Sequence, residues 1–251
     1  MASFFLVLSE EARRRIVKNW SRKLLELLHI GLQTEDVLRP LNMRAGMLVA
    51  NHVSWVDIMA MNAVAPACFV AKSEVGSWPV IGWLCHRAGT LFIRRDNRRD
   101  AMRVNLEISG MLKEGSSVAL FPEGTSGDGL LPGHFHSSLL QGVIDAGADV
   151  APVAIRYHDG AGRACGDAAF VGDMSFAQSL WNILRSPSLC VSLHYLPPLS
   201  VSGKNRRELA AEAHGAIHMA LARFSPNHSV CVADDIRLCS LGGGAACLTN
   251  F

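Results

Sequence analysis

From Met47 onward, short apolar runs alternate with stretches whose apolar residues recur at helical spacing, and this alternation restricts the chain to one class of fold. Strands are predicted near 47–50, 68–71, 90–94, 117–121 and 150–157, and helices near 55–64, 99–113 and 138–147. A Trp- and Pro-punctuated segment occupies 77–86, and further elements are predicted at about 169–172, 176–184, 189–196 and 205–223. Alternation of this kind makes an α/β domain, a largely parallel or mixed sheet flanked by helices. With 251 residues, 49% hydrophobic and 18% charged, the chain can fill one sizeable core, and no break in composition marks a second. No internal repeat is present, and residues 226–251, which include Gly242 to Gly244, lack periodicity and read as a loosely structured tail.

Residues 10–30 read as an amphipathic helix: Ile16, Val17, Trp20, Leu24, Leu27 and Leu28 fall near one face, and Arg13, Arg14, Lys18, Arg22 and Lys23 fall mostly elsewhere. Apolar side chains with a tryptophan can enter the headgroup boundary of a bilayer while the cations meet anionic lipid, so residues 1–35 are expected to be a membrane-associating segment. The alternative is a helix packed on its own domain with a solvated basic face. No apolar stretch reaches the ~18 residues that span a bilayer, and Phe4 to Leu8 is too short for a signal-peptide core of about 7 to 15. Peripheral or monotopic attachment at the cytoplasmic face of the inner membrane is the expected location. Lys plus Arg exceed Asp plus Glu by only 24 to 22, which excludes a uniformly basic, nucleic-acid-coating surface. Seven scattered cysteines, with no C-x-x-C pair, read as reduced thiols on the cytosolic side.

The most informative segment is Asn51-His52-Val53-Ser54-Trp55-Val56-Asp57, directly after the first of these strands. Five residues turn a straight helix by about 500°, so His52 and Asp57 cannot share a helix face and a bend is required. With His52 in the strand-to-helix turn and Asp57 in the first helical turn, the carboxylate can reach the imidazole. It would then set the ring's tautomer and stabilise the imidazolium formed when His52 takes a proton. The competing reading is structural: Ser54 and Asp57 have the S-x-x-D spacing of a capping box, in which Asp57 caps the helix and His52 only fills a turn.

Three further segments carry chemistry. In Phe121-Pro122-Glu123-Gly124-Thr125-Ser126-Gly127, Pro122 ends strand pairing and Gly124 permits a turn whose N–H groups and neighbouring hydroxyls can form a polar pocket, the alternative being an ordinary Gly-rich turn. It is not a P-loop, because G-x4-G-K-[ST] is missing. Gly89-Thr90-Leu91-Phe92-Ile93-Arg94-Arg95 is a strand ending in paired arginines suited to phosphate or carboxylate. Val150-Ala151-Pro152-Val153-Ala154 reads as a buried strand whose proline would shape a cleft wall, although taken alone its role is more simply packing.

In this order the segments resemble the four blocks of the glycerolipid and lysophospholipid acyltransferase family: N-H-x4-D, G-x-x-F-I-x-R, F-P-E-G-T and V-x-P-V, over roughly residues 46 to 157. The resemblance implies a mixed sheet flanked by helices with the active site at the strand ends, in a catalytic domain over 36–225. It implies His52 as general base and Asp57 as its partner. Gly89, Phe92 and Arg95 would form part of the acceptor site, Glu123, Gly124 and Thr125 would line the acceptor's polar head, and Pro152 would support the acyl-donor cleft. The implied partners are a lysolipid acceptor, a donor thioester on coenzyme A or acyl carrier protein, and a membrane lipid surface, with no further cofactor and no metal. One departure bears on the acceptor: many members that use lysophosphatidic acid have arginine directly after F-P-E-G-T, whereas this chain has Ser126. Ser126-Gly127-Asp128-Gly129, followed by Ser137-Ser138-Leu139-Leu140, is more similar to the branch that includes lyso-ornithine lipid acyltransferases. Two rivals remain. One is a thioester hydrolase, although the G-x-S-x-G elbow of its usual form is missing; the other is a non-catalytic lipid-binding protein indifferent to His52 and Asp57.

Overall fold

The computed structural model describes residues 9–35, 46–77, 82, 89–94 and 97–224. Among these residues seven strands form one sheet: β1 (Ile30–Glu35), β2 (Gly46–Ala50), β3 (Cys68–Lys72), β4 (Leu91–Ile93), β5 (Val118–Leu120), β6 (Asp149–His158) and β7 (Leu189–Tyr195). Their spatial order is β1-β7-β6-β2-β5-β3-β4. All pairings are parallel except that of β6 with β7, so the sheet is mixed, as the alternation predicts.

The helices are α1 (Glu10–Leu27), α2 (Val56–Val64), α3 (Arg98–Lys113), α4 (Gln141–Ala146), α5 (Phe176–Arg185) and α6 (Arg206–Ala222). Side chains alternate across a strand with period two, and here both sides are covered. On one side Leu48, Ala50, Val153 and Ile155 pack with Leu25 of α1 and Val56, Ala60 and Met61 of α2. On the other, Met47, Val49 and Val118 pack with Ile108 of α3, Val143 of α4 and Ile217 of α6. Ile108 and Ile217 are fully buried, and each contributes roughly 1.5–3 kcal/mol. Helix starts follow the local chemistry: Asn97 accepts the N–H groups of Arg99 and Asp100, and Ser175 with Gln178 and Asn205 with Glu208 form capping boxes.

Three expectations are corrected. The predicted helix 10–30 ends at Leu27, His29 adopts a φ of 55°, and β1, a strand absent from the sequence reading, then pairs in parallel with β7. The apolar spacing of Leu27, Leu28 and Ile30 suits helix and strand alike; the free edge of β7 decides between them. The element expected at 169–172 is irregular chain that enters a turn at Gly172, and the Phe170 N–H is spent on the Val53 carbonyl (2.9 Å). The helix expected over 138–147 is a 3-10 turn, Ser137–Leu140, running into the short α4. Gly142 lies so close to α3 that a Cβ there would sit 2.7 Å from the Asn105 carbonyl oxygen. The segment 77–86, apart from Ser77 and Gly82, and the tail 226–251 lie outside the described residues.

α1 is a packed part of the fold: Ser21 and Leu25 are buried, and the Arg22 guanidinium donates to the Ala63 carbonyl of α2 at 2.9 Å. Its outer side leaves Ile16, Trp20 and Leu27 exposed.

Candidate active site

β2 ends at Ala50, and the chain bends through residues 51–55 before α2 begins. Asn51, buried, replaces the strand ladder beyond that end: its side-chain amide donates to the Ile155 carbonyl (2.9 Å) and its oxygen accepts the Ile155 N–H (2.7 Å). The bend brings His52 Nδ1 to 2.8 Å from Asp57 Oδ2. The same oxygen accepts the backbone N–H groups of Val53 (2.7 Å) and Ser54 (2.9 Å). Both readings of the segment therefore meet in one carboxylate, which reaches back to the turn as a capping group does and also holds the imidazole. Asp57 is fully buried and the His52 side chain is 21% exposed.

The remaining restraints on His52 come from the loop after β5. Its ring stacks on Phe121, with centroids 4.2 Å apart and planes 14° from parallel. Its backbone N–H donates to Glu123 Oε1 (3.0 Å), and its carbonyl accepts the Gly127 N–H (2.8 Å). Face, Nδ1 and both backbone groups are thus held, while Nε2 has no hydrogen-bond partner among the described residues and is the position open to a substrate proton.

Glu123 is buried, and its carboxylate also accepts the Gly133 N–H. Burial pushes its pKa above the usual carboxylate range, against the lowering effect of those two N–H groups. Gly124 adopts a φ of 75°, which glycine alone takes without strain and which lets the chain turn. Thr125 is exposed, and the Ser126 hydroxyl donates to the Phe170 carbonyl, tying the irregular segment 169–172 to this loop. Glu123→Ala leaves two N–H donors without an acceptor, at about 1–3 kcal/mol each. Urea unfolding should show that loss, with Glu123→Gln, which keeps one accepting oxygen, falling between the variant and the parent.

Arg95 lies outside the described residues. Gly89 is exposed with a φ of 74°, and the Phe92 carbonyl accepts from Arg103 of α3 at 2.8 Å. Pro152 sits inside β6 opposite Val49, with its carbonyl accepting the Leu196 N–H (2.9 Å). One residue that the sequence reading passed over joins the dyad: the Tyr157 hydroxyl at the end of β6 donates to Asp57 Oδ1 at 2.7 Å. Burial and the neighbouring carboxylate hold this phenol well above its usual pKa, so it keeps its proton. The available signal was a tyrosine following apolar Ala151, Val153 and Ile155 on one strand face, where a buried hydroxyl needs a partner.

A family model described as Acyltransferase matches residues 32–156. The lyso-ornithine lipid O-acyltransferase of Pseudomonas aeruginosa is 37% identical over 212 residues, covering 83% of this chain and 79% of that protein. The 1-acyl-sn-glycerol-3-phosphate acyltransferase of Neisseria meningitidis is 40% identical over 188 residues, 74% of this chain and 72% of that one. Among solved structures, the 1-acyl-sn-glycerophosphate acyltransferase PlsC of Thermotoga maritima shares the fold, with a TM-score of 0.67 over 90% of this chain and 88% of that one at 20% identity.

Proposed function

The chain belongs to this acyltransferase family and transfers acyl groups to a lysolipid hydroxyl, and from that premise we propose that His52 is the general base and Asp57 the carboxylate that orients it. The observation that carries the assignment is the 2.8 Å contact between His52 Nδ1 and Asp57 Oδ2 beside an Nε2 with no hydrogen-bond partner among the described residues. Nε2 takes the proton of the acceptor hydroxyl as that oxygen attacks the thioester carbonyl. The tetrahedral oxyanion then collapses with cleavage of the C–S bond, and the thiolate leaves and is protonated. Asp57 stabilises the transient imidazolium. No acyl-enzyme forms, because a thiolate leaves readily. General-base catalysis supplies about 10²–10⁴-fold, and alignment of the two lipid substrates supplies several kcal/mol more.

The donor is a fatty acyl thioester of coenzyme A or acyl carrier protein. Gly124 and the exposed Thr125 meet the acceptor's polar head, together with Arg95. Glu123, bonded to the His52 and Gly133 backbones, forms the wall of that subsite and keeps the His52 turn in place. The acceptor is of the 1-acyl-glycerol-3-phosphate type or a lyso-ornithine lipid, the acceptors named for the two relatives. Ser126, whose hydroxyl is engaged by Phe170, offers a phosphate no positive charge and favours the second. Incubation of purified protein with a labelled long-chain thioester and a panel of both lysolipids tests the reading. A single diacylated product names the acceptor; free fatty acid alone would show a hydrolase.

No helix among the described residues is long and apolar enough to cross a membrane. We assign attachment to the cytoplasmic face of the membrane through residues 1–35, whose α1 and β1 also pack into the catalytic unit that continues over 36–225. The outer side of α1 supports this, with exposed Ile16, Trp20 and Leu27 among Arg13, Arg15 and Lys23. So does the solvent side of α5, where Trp181 and Leu184 are 60% and 52% exposed. Burying one such side chain in lipid contributes roughly 1.5–3 kcal/mol, so Trp20→Glu and Trp181→Glu should each weaken co-sedimentation with anionic vesicles by about tenfold or more. Unchanged sedimentation of both variants would remove these faces from the interface.

A further inference from the structure

We propose that Tyr157 is a positioning residue of the catalytic dyad: its hydroxyl clamps the second oxygen of Asp57, fixing the carboxylate plane and tempering its charge on His52. This rests on the reading of His52 as the base. Asp57 Oδ2 already receives the imidazole and the two N–H groups of the bend, whereas the donor on Oδ1 is Tyr157, at 2.7 Å. The bend therefore holds one oxygen and β6 holds the other, so rotation about the Cβ–Cγ bond breaks a contact on one side or the other.

The position of Tyr157 is set by the same motif that carries the base. Asn51, next to His52, grips both backbone groups of Ile155, two residues before Tyr157 on the same strand face. A change in β6 near Ile155 thus reaches the dyad by two routes, through Asn51 to the bend and through Tyr157 to the carboxylate. A packing role alone would be met by phenylalanine, which fills the same space without a hydroxyl to satisfy.

Among the described residues, the titratable groups around His52 are Asp57 on α2, Glu123 from the loop after β5 and Tyr157 on β6. Asp128, Arg156 and Cys165 line the cavity of about 260 Å³ that Tyr157 also borders. Removing only the hydroxyl leaves Asp57 more negative at His52, which favours the imidazolium.

Tyr157→Phe tests this. Expected are a kcat lower by about tenfold, in the range of outer hydrogen bonds that orient a working imidazole, an unchanged KM, and an acid limb of kcat/KM moved to higher pH. In the resting protein the His52 imidazole titration, followed by NMR, should move to higher pH as well. In an Asp57→Asn background the same substitution should add little. A His52 titration and kcat equal to those of the parent, or a loss that simply adds to that of Asp57→Asn, would overturn the proposal. The NMR titration needs no turnover, so it decides the coupling even if the parent enzyme fails to acylate any lysolipid tested.

Discussion

His52→Ala is expected to lower kcat by about 10²–10⁴-fold and to leave the protein folded. The substitution removes the group that takes the acceptor's proton, and the acceptor hydroxyl is too weak a nucleophile at neutral pH to attack unassisted at a comparable rate. Binding of both substrates does not require the imidazole, so KM should move little and the loss should lie in the chemical step. The fold survives because Asp57 keeps three donors: the N–H groups of Val53 and Ser54 on Oδ2 and the Tyr157 hydroxyl on Oδ1. The ring lost is partly exposed and lies at the edge of the core against Phe121. A cost near 1 kcal/mol corresponds to a melting shift of about 2–4 °C for a chain of this size. Steady-state transfer with a labelled thioester, beside a thermal melt, checks both halves. Turnover close to that of the parent, from a variant that melts normally, would exclude His52 from the chemistry.

How much of this was legible beforehand depended on whether an interaction was local. The approach of His52 to Asp57 follows from a spacing of five that no straight helix satisfies, placed directly behind an apolar run that reads as a strand. The same locality made the capping reading of Ser54 and Asp57 attractive, and the carboxylate performs half of it by accepting the Ser54 N–H. The strand ends predicted at 50, 121 and 157 from apolar runs fall within one residue of those observed, at 50, 120 and 158. Partners a hundred residues apart were beyond such reasoning. Tyr157 reaches Asp57 only because β6 lies beside β2 in the register that sets Ala50 opposite Val153, and that register comes from the crossovers and the packed helices. Glu123 shows the same limit: its place in a polar block suggests a substrate contact, but its carboxylate bonds to the backbone of the base. β1 was missed because six residues with few strand formers become a strand only through β7.

Asp57 separates catalysis from folding, and two substitutions there should give different results. In Asp57→Asn the amide oxygen can still accept from His52 Nδ1, Val53 N and Ser54 N, while the amide N–H₂ can donate to a Tyr157 hydroxyl that turns to accept. The hydrogen-bond count is kept and the charge is lost, so stability should fall by no more than about 1–2 kcal/mol. Turnover should fall by 10² or more, because the imidazolium that forms during attack then lacks its counter-charge. In Asp57→Ala the two backbone N–H groups and the Tyr157 hydroxyl are all left buried without a partner. At about 1–3 kcal/mol each, that loss takes most of the 5–15 kcal/mol by which a domain is usually stable. The alanine variant should therefore express poorly or unfold at low denaturant, and the asparagine variant should be soluble, folded and nearly inactive. Urea titrations and transfer assays on the pair measure the two effects separately. If the variants lost stability equally, the hydrogen-bond account of Asp57 would be wrong; if the asparagine variant kept full turnover, its charge would have no part in the reaction.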